Sequence, residues 1–333
     1  MILICFGTRP EWIKIKPLID KIKNNVPYKL LYIKQHNDLI DGLTDDYSYI
    51  SIEIKNSINR LDSIVFSILQ NIDEAFANIT HTLVQGDTTS AFAVALASFH
   101  RNIPIIHLEA GLRSWNNQNP YPEEFNRISI SNMAKIHLCP TKLNYKNITN
   151  NHSGKAYIVG NTVLDNLKNI KPTISNKILI TLHRRENLNI IREWFKAIEE
   201  LAKDRKDLEF IFPMHPNEQI QKYKNIFKHV KIIKPLSHEE CIKMISECGL
   251  LITDSGGLQE ESAFLKKKSI VCRKTTERQE GEGVFSTLCK NPTKLKDIFN
   301  NITIEMINRK CPYGDGNASD KILKILERIY DKH

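Results

Sequence analysis

Short apolar runs alternate with segments of helical spacing along almost the whole chain, in two successive series. The first has strand-like runs at residues 1–6, 29–34, 82–85, 104–108, 136–139 and 156–159, and the second at 178–181, 209–214, 230–233, 249–253 and 269–272. Runs this short and this continuously apolar fit strands buried on both faces, as in a parallel sheet covered by helices. Helical patterns lie between them, among them residues 61–80, the run Ala91-Phe92-Ala93-Val94-Ala95-Leu96-Ala97, residues 190–202 and residues 320–330. Alternation of this kind, played twice, predicts α/β architecture in two Rossmann-like doubly wound domains, 1–162 and 163–316, with Gly160-Asn161-Thr162 as the crossover. Residues 35–60 carry little pattern. Pro17 falls inside the first helical pattern and is expected to bend it or delay its regular part.

One strand-to-helix turn has a chemical signature. Residues 250–261 read Leu-Leu-Ile-Thr-Asp-Ser-Gly-Gly-Leu-Gln-Glu-Glu. Thr253, Asp254 and Ser255 are good N-cap residues, and Gly256 and Gly257 have no Cβ to block a ligand. Residues 258–265 then read as a helix with acids in its first turn. Such a turn directs unpaired N–H groups and the positive end of a helix dipole to one spot, which suits a phosphate; an ordinary turn capped by Ser255 has the same sequence.

A chain of 333 residues can bury two full cores, and its 41% hydrophobic content is that of a soluble globular protein. No apolar run approaches a membrane span, and the apolar start is followed at once by Arg9, Glu11 and Lys14, unlike a signal peptide. The net charge of +9 raises the question of nucleic acid. The lysines, however, are scattered over helix faces and no basic run interleaves with aromatics, so a surface biased toward anionic small ligands is the better reading. The seven cysteines are odd in number and form no C-x-x-C pair, and no H-x-x-x-H pair marks a helix. This favours a reducing, cytoplasmic setting and neither metal nor cofactor.

In open α/β sheets, ligands bind beyond the carboxyl ends of the strands. Those positions hold Arg9 and Lys14, Asp87, Glu109 and Arg113, with Glu123 shortly after. In the second series they hold His183, His215, Ser255 and Glu261, and then Arg278. Each has a plain structural reading: Asp87 can cap a helix, Glu123 and Glu124 suit a helix start, and His183 can be a satisfied loop histidine. Together, carboxylates, cations and a phosphate-suited turn indicate a phosphorylated substrate and proton transfer by acids.

Nine segments carry a resemblance. They are Gly7-Thr8-Arg9-Pro10-Glu11 with Ile13-Lys14, Gly86-Asp87-Thr88-Thr89, Glu109-Ala110-Gly111-Leu112-Arg113, Pro122-Glu123-Glu124 with Asn126-Arg127, and Gly160-Asn161-Thr162-Val163. His183-Arg184-Arg185-Glu186, residues 253–261, Thr275-Thr276-Glu277-Arg278 and Pro312-Tyr313-Gly314-Asp315-Gly316 complete them. In this order they resemble the non-hydrolysing UDP-N-acetylglucosamine 2-epimerases. The resemblance implies a B-type glycosyltransferase fold, two domains facing across a cleft, with a C-terminal segment, 317–333, returning to the first domain. It also implies a homodimer. The implied reaction takes UDP-GlcNAc to UDP-ManNAc by anti elimination of UDP to 2-acetamidoglucal and re-addition with protonation from the other face of C2. Carried over by position, Asp87, Glu109 and Glu123 are acid/base candidates and His183 stabilises the departing diphosphate. Arg9 and Lys14 line the sugar-phosphate side, Ser255 and Gly256 hold phosphate oxygens, Glu261 accepts from ribose hydroxyls, and Arg278 faces the nucleotide; Arg113, His215 and Gly257 join this binding set. Which carboxylate takes the proton and which returns it stays open.

The chain also departs from that pattern. Gln35-His36-Asn37-Asp38 differs from the segment that helps bacterial members bind a second, activating UDP-GlcNAc, Cys241 stands where an aromatic near uracil is common, and the loop 115–121 differs near the sugar. Another UDP-2-acetamido sugar, a hydrolysing relative releasing ManNAc and UDP, a glycosyltransferase, and a nucleotide-sugar binding protein without chemistry are the alternatives. The acids at strand ends count against the last.

Overall fold

The computed structural model describes residues 1–35, 47–55 and 59–330. It divides into two compact units, Met1–Asn166 with Gly314–His333, and Leu167–Tyr313.

The first unit has seven parallel strands: β1 (Ile2–Phe6), β2 (Tyr28–Lys34), β3 (Tyr49–Glu53), β4 (His81–Gln85), β5 (Ile105–Leu108), β6 (Ile136–Cys139) and β7 (Lys155–Ile158), in the order β3-β2-β1-β4-β5-β6-β7. Strand β1 is buried throughout, as its unbroken apolar sequence requires. The helices α1 (Arg9–Ile22), α2 (Arg60–Asn71), α3 (Thr89–His100), α4 (Glu123–Met133) and α5 (Lys142–Thr149) connect them. Thr8, Thr88 and Thr141 cap α1, α3 and α5 by accepting from backbone N–H groups in their first turns. Helix α1 runs through Pro17 without interruption. A proline there leaves the carbonyl of Ile13 without its helical donor, and Asn166 Nδ2 donates to that oxygen at 3.1 Å.

The second unit has six parallel strands, β8 (Lys177–Thr181), β9 (Glu209–Pro213), β10 (Lys231–Ile233), β11 (Leu250–Thr253), β12 (Lys268–Val271) and β13 (Ser286–Leu288), in the order β10-β9-β8-β11-β12-β13. Its helices are α6 (Ile191–Asp204), α7 (Glu218–Gln221), α8 (His238–Glu247), α9 (Gly256–Phe264) and α10 (Leu295–Asn300). Its core gathers Ile178, Ile180, Phe195, Phe210, Phe212, Leu250 and Ile252. The last helix, α11 (Ala318–Tyr330), belongs to the first unit: Ile322 and Leu326 join a core with Ile15, Leu18 and Ile22. Asp165 caps it, accepting from Ala318 N at 2.9 Å and Ser319 N at 2.7 Å.

Both sheets follow the doubly wound plan, and in each the strand order reverses at one place: between β1 and β4, and between β8 and β11. Ligand-binding residues are expected at the carboxyl ends of those strands. Several elements differ from the sequence reading. The helix expected over 61–80 stops at Asn71 and gives way to a 3-10 turn at Asp73–Phe76. Strands β3 and β13 were not anticipated, although Ile50, Ile52 and Ile54 alternate with Ser51 and Glu53 along and just beyond β3. Helix α9 begins at Gly256, so Glu260 and Glu261 stand in its second turn and its first turn holds no acid. All seven cysteines are free thiols. Among the described residues no helix is long and apolar enough to cross a membrane.

Candidate active site

In the first unit the turns after β1, β4 and β5, neighbours in the sheet, carry Glu11, Asp87 and Glu109. Glu109 directly follows β5 at φ +64°, a left-handed conformation that costs a side-chain-bearing residue of order 1 kcal/mol. That twist aims its carboxylate at Lys14 Nζ, 2.8 Å from Oε1 and 2.6 Å from Oε2. Gln85 Nε2 donates to the same group, and Asn161 Nδ2 reaches it at 3.3 Å. Lys14 and Glu109 are thus an ion pair, 17% and 5% exposed, rather than separate contacts.

Asp87 is tied to a second pair. Arg127 on α4 approaches its Oδ2 through Nε at 2.8 Å and Nη2 at 2.6 Å. Arg127 is in turn held by Glu124 at 3.1 Å, and Glu124, fully buried, accepts from Ser114 N at 3.0 Å and Trp115 N at 2.9 Å. Glu123, its neighbour at the start of α4, has a different environment: Oε2 is buried and has no hydrogen-bond partner among the described residues. Of two consecutive glutamates, one is consumed by the fold and one is left with an unmet oxygen.

Beneath this cluster, Glu11 joins the turns that follow β1 and β4. It accepts from Gly7 N at 2.9 Å, Thr8 Oγ1 at 2.9 Å and Thr88 Oγ1 at 2.6 Å. Burial raises its pKa, and these hydrogen bonds pull against the rise. Arg9, first residue of α1, is exposed. Arg113 does not join the acids. Gly111, at φ +92°, turns the chain against the Asn144 backbone, and Arg113 is 3% exposed, donating to Leu112 O at 2.7 Å and Ser131 Oγ at 2.8 Å. Burial lowers its pKa to about 10. Arg113, expected among the binding residues, is turned inward in this structure.

In the second unit the turns after β8 and β11 are bound together by Asp254, fully buried. It accepts from His183 N at 3.2 and 3.1 Å, Arg184 N at 2.9 Å and Asn187 Nδ2 at 3.0 Å. This fixes His183, whose ring stacks on His215 with centroids 5.3 Å apart and planes 15° from parallel. Burial holds His215 below the ordinary imidazole range, and the neighbouring His183 adds to that. Ser255 caps α9, accepting from Leu258 N at 3.5 Å. A Cβ on Gly257 would meet nothing within 4 Å, whereas one on Gly256 would come 2.6 Å from Arg278 Nη1. The N-terminus of α9 therefore has open space at one glycine and a guanidinium over the other. Arg278 is 5% exposed and paired with Glu260 at 2.8 Å and with Glu277, so it is built into the unit. Glu261 is buried and receives a hydrogen bond from His238 Nε2 at 2.6 Å.

Sequence reasoning missed Glu11, Arg127, Glu124, Asp254 and His238 as site residues. All but His238 lie within the quoted motifs, so the signal was present; their partners were not. Of the departing segment Gln35-His36-Asn37-Asp38, Gln35 donates to Ser90 Oγ at 2.5 Å and the other three lie outside the described residues. Among the described residues no group of His, Cys, Asp and Glu is arranged to hold a metal ion.

Comparison with known proteins gives a family model described as UDP-N-acetylglucosamine 2-epimerase, matched over residues 21–327. The chain is 34% identical to a UDP-N-acetylglucosamine 2-epimerase of Salmonella borreze, over 99% of both proteins. It is similar to the crystal structure of UDP-GlcNAc 2-epimerase from Neisseria meningitidis bound to UDP-GlcNAc, at 31% identity and a TM-score of 0.88, covering 98% of this chain and 99% of that one. It is also similar to an S. aureus MnaA–UDP co-structure, at 29% identity and a TM-score of 0.88, covering 99% and 96%.

Proposed function

The chain belongs to the UDP-N-acetylglucosamine 2-epimerase family, and on that premise we propose that it interconverts UDP-GlcNAc and UDP-ManNAc without releasing the free sugar. The observation that carries this reading is the contrast between the strand ends of the two units. The first unit has Asp87 after β4, Glu109 after the neighbouring β5 and Glu123 at the start of α4; the second has the N-terminus of α9 after β11, open at Gly257, and the stacked imidazoles of His183 and His215 after β8 and β9. Acids suit a carbon from which a proton is removed, and N–H groups with imidazoles suit a diphosphate.

In the proposed reaction the proton on C2 passes to a carboxylate while the C1–O bond breaks and its electrons leave on the β-phosphate of UDP. His183 and the α9 N-terminus stabilise that charge as it develops, with Ser255, Gly256 and Gly257 supplying the turn. UDP then adds back to the 2-acetamidoglucal, and C2 regains a proton on its opposite face. Glu123 is a candidate for one of these transfers because its buried oxygen has no competing partner among the described residues. Asp87 and Glu109 complete the acid/base set, with Lys14 holding Glu109 in place. Arg9 serves the sugar-phosphate side and Glu261 the ribose. We assign Arg113 and Arg278 to holding the two units' loops rather than to direct contact. The reading includes a homodimer, which light scattering would test, and a cytoplasmic location.

The test is incubation with UDP-GlcNAc in heavy water, followed by NMR. Deuterium at C2 accompanied by UDP-ManNAc is expected. Free ManNAc would move the protein to hydrolysis, and exchange with a different UDP-2-acetamido sugar alone would move the substrate.

A further inference from the structure

Glu261 is 3% exposed in the second turn of α9, and His238 is its hydrogen-bond donor among the described residues, at 2.6 Å. An ionised carboxylate can only accept, so the hydrogen lies on His238 Nε2. His238 stands at the first position of α8, where a capping box between Ser237 and Glu240 (2.7 and 3.2 Å) fixes the helix start. The imidazole is thus carried on a rigid element and holds one carboxylate oxygen. Cys241, one turn further on, shares that face of α8 and is small. Burial pushes its thiol up to about 12, with the nearby Glu261 carboxylate as a secondary cause.

We propose that His238 is a positioning residue for ribose recognition: by holding Oε1 of Glu261 it directs the other oxygen to accept from the ribose hydroxyls of UDP. This rests on the reading of the second unit as the nucleotide side. A buried carboxylate that loses a ligand hydroxyl is left short of donors, so a pair of this kind rejects a deoxyribose more strongly than one lost hydrogen bond would. His238 thereby sets the discrimination between ribo- and deoxyribonucleotide, and its loss raises KM with little change in kcat, since the ribose is remote from C2.

The experiment compares the affinities of UDP and 2′,3′-dideoxy-UDP by calorimetry for the wild type, His238→Phe and His238→Gln, with thermal melting as a folding check. The wild type is expected to prefer UDP by about tenfold or more. His238→Phe keeps a ring but no donor; UDP binding should weaken while dideoxy-UDP binding stays, so the preference collapses toward one. His238→Gln retains an N–H donor and should keep most of the preference. Equal weakening of both nucleotides in His238→Phe, or an unchanged preference, would overturn the role of His238 and leave the epimerase reading standing. A wild type that binds neither nucleotide would overturn the nucleotide-side reading itself.

Discussion

The two units share one scaffold device and surround it with different chemical groups. In each, a buried carboxylate bridges the two turns at the strand-order reversal. Glu11 does so in the first unit, accepting from Gly7 after β1 and Thr88 after β4. Asp254 does so in the second, sitting after β11 and accepting from His183 and Arg184 after β8. The difference lies in what these fixed turns then present: acids with cationic partners in one, backbone N–H groups and imidazoles in the other. Topology decides where these turns lie, and a handful of side chains decide which groups they present.

The comparison is broken most violently at Arg127. Arg127→Met removes a cation paired with both Asp87 and fully buried Glu124; breaking a buried pair in this way costs about 3–5 kcal/mol. A large fall in melting temperature and loss of activity are expected, and a melting temperature near wild type would refute the clamp. Next in size, Glu123→Gln should lower C2 exchange by roughly 10²–10⁴-fold, the usual worth of a general acid or base, with UDP affinity retained. Parallel loss of exchange and affinity would show that the acids are not confined to proton transfer.

Gly257→Ala probes the other unit. The new methyl meets no atom within 4 Å, so stability should hold or rise slightly, while UDP affinity drops about tenfold if a phosphate uses that space. Unchanged affinity would remove the α9 N-terminus from binding. The effect that vanishes near neutral pH, and so is smallest under ordinary assay conditions, is one of acid stability. Burial lowers the pKa of His107 from 6.5 to about 3, its Nε2 bonded to Gly86 O at 2.8 Å beside Asp87. The unfolded chain binds that proton first, so stability should fall as pH drops from about 6.5 toward 3, and His107→Gln should flatten this slope in denaturation curves. An identical slope in the variant would assign the acid sensitivity elsewhere.

Much of this was legible in the sequence because buried parallel strands are continuous apolar runs. The central strands were placed within a residue or so, and with them the turns that carry Asp87, Glu109, His183 and Ser255. The edge strands β3 and β13 were not, since an edge strand need not be apolar on both faces. Pro17 looked like a helix breaker because its compensating donor, Asn166, is distant in sequence. Arg113 and Arg278 look like ligand cations in one dimension. Their partners, Ser131 and Leu112 for one and Glu260 and Glu277 for the other, are distant or unremarkable in sequence and appear only in the fold. Glu123 and Glu124 were indistinguishable until the backbone of the 114–115 segment was seen to consume one of them.

The proposal stands or falls on whether a carboxylate such as Glu123 removes the C2 proton as the C1–O bond to the diphosphate breaks. UDP-GlcNAc labelled with heavy oxygen in the sugar–phosphate bridge tests it most directly. Scrambling of the label into the non-bridging β-phosphate positions, in step with deuterium entering C2 and suppressed together with it in Glu123→Gln, is the predicted result. Inversion at C2 with the label still entirely in the bridge would contradict it.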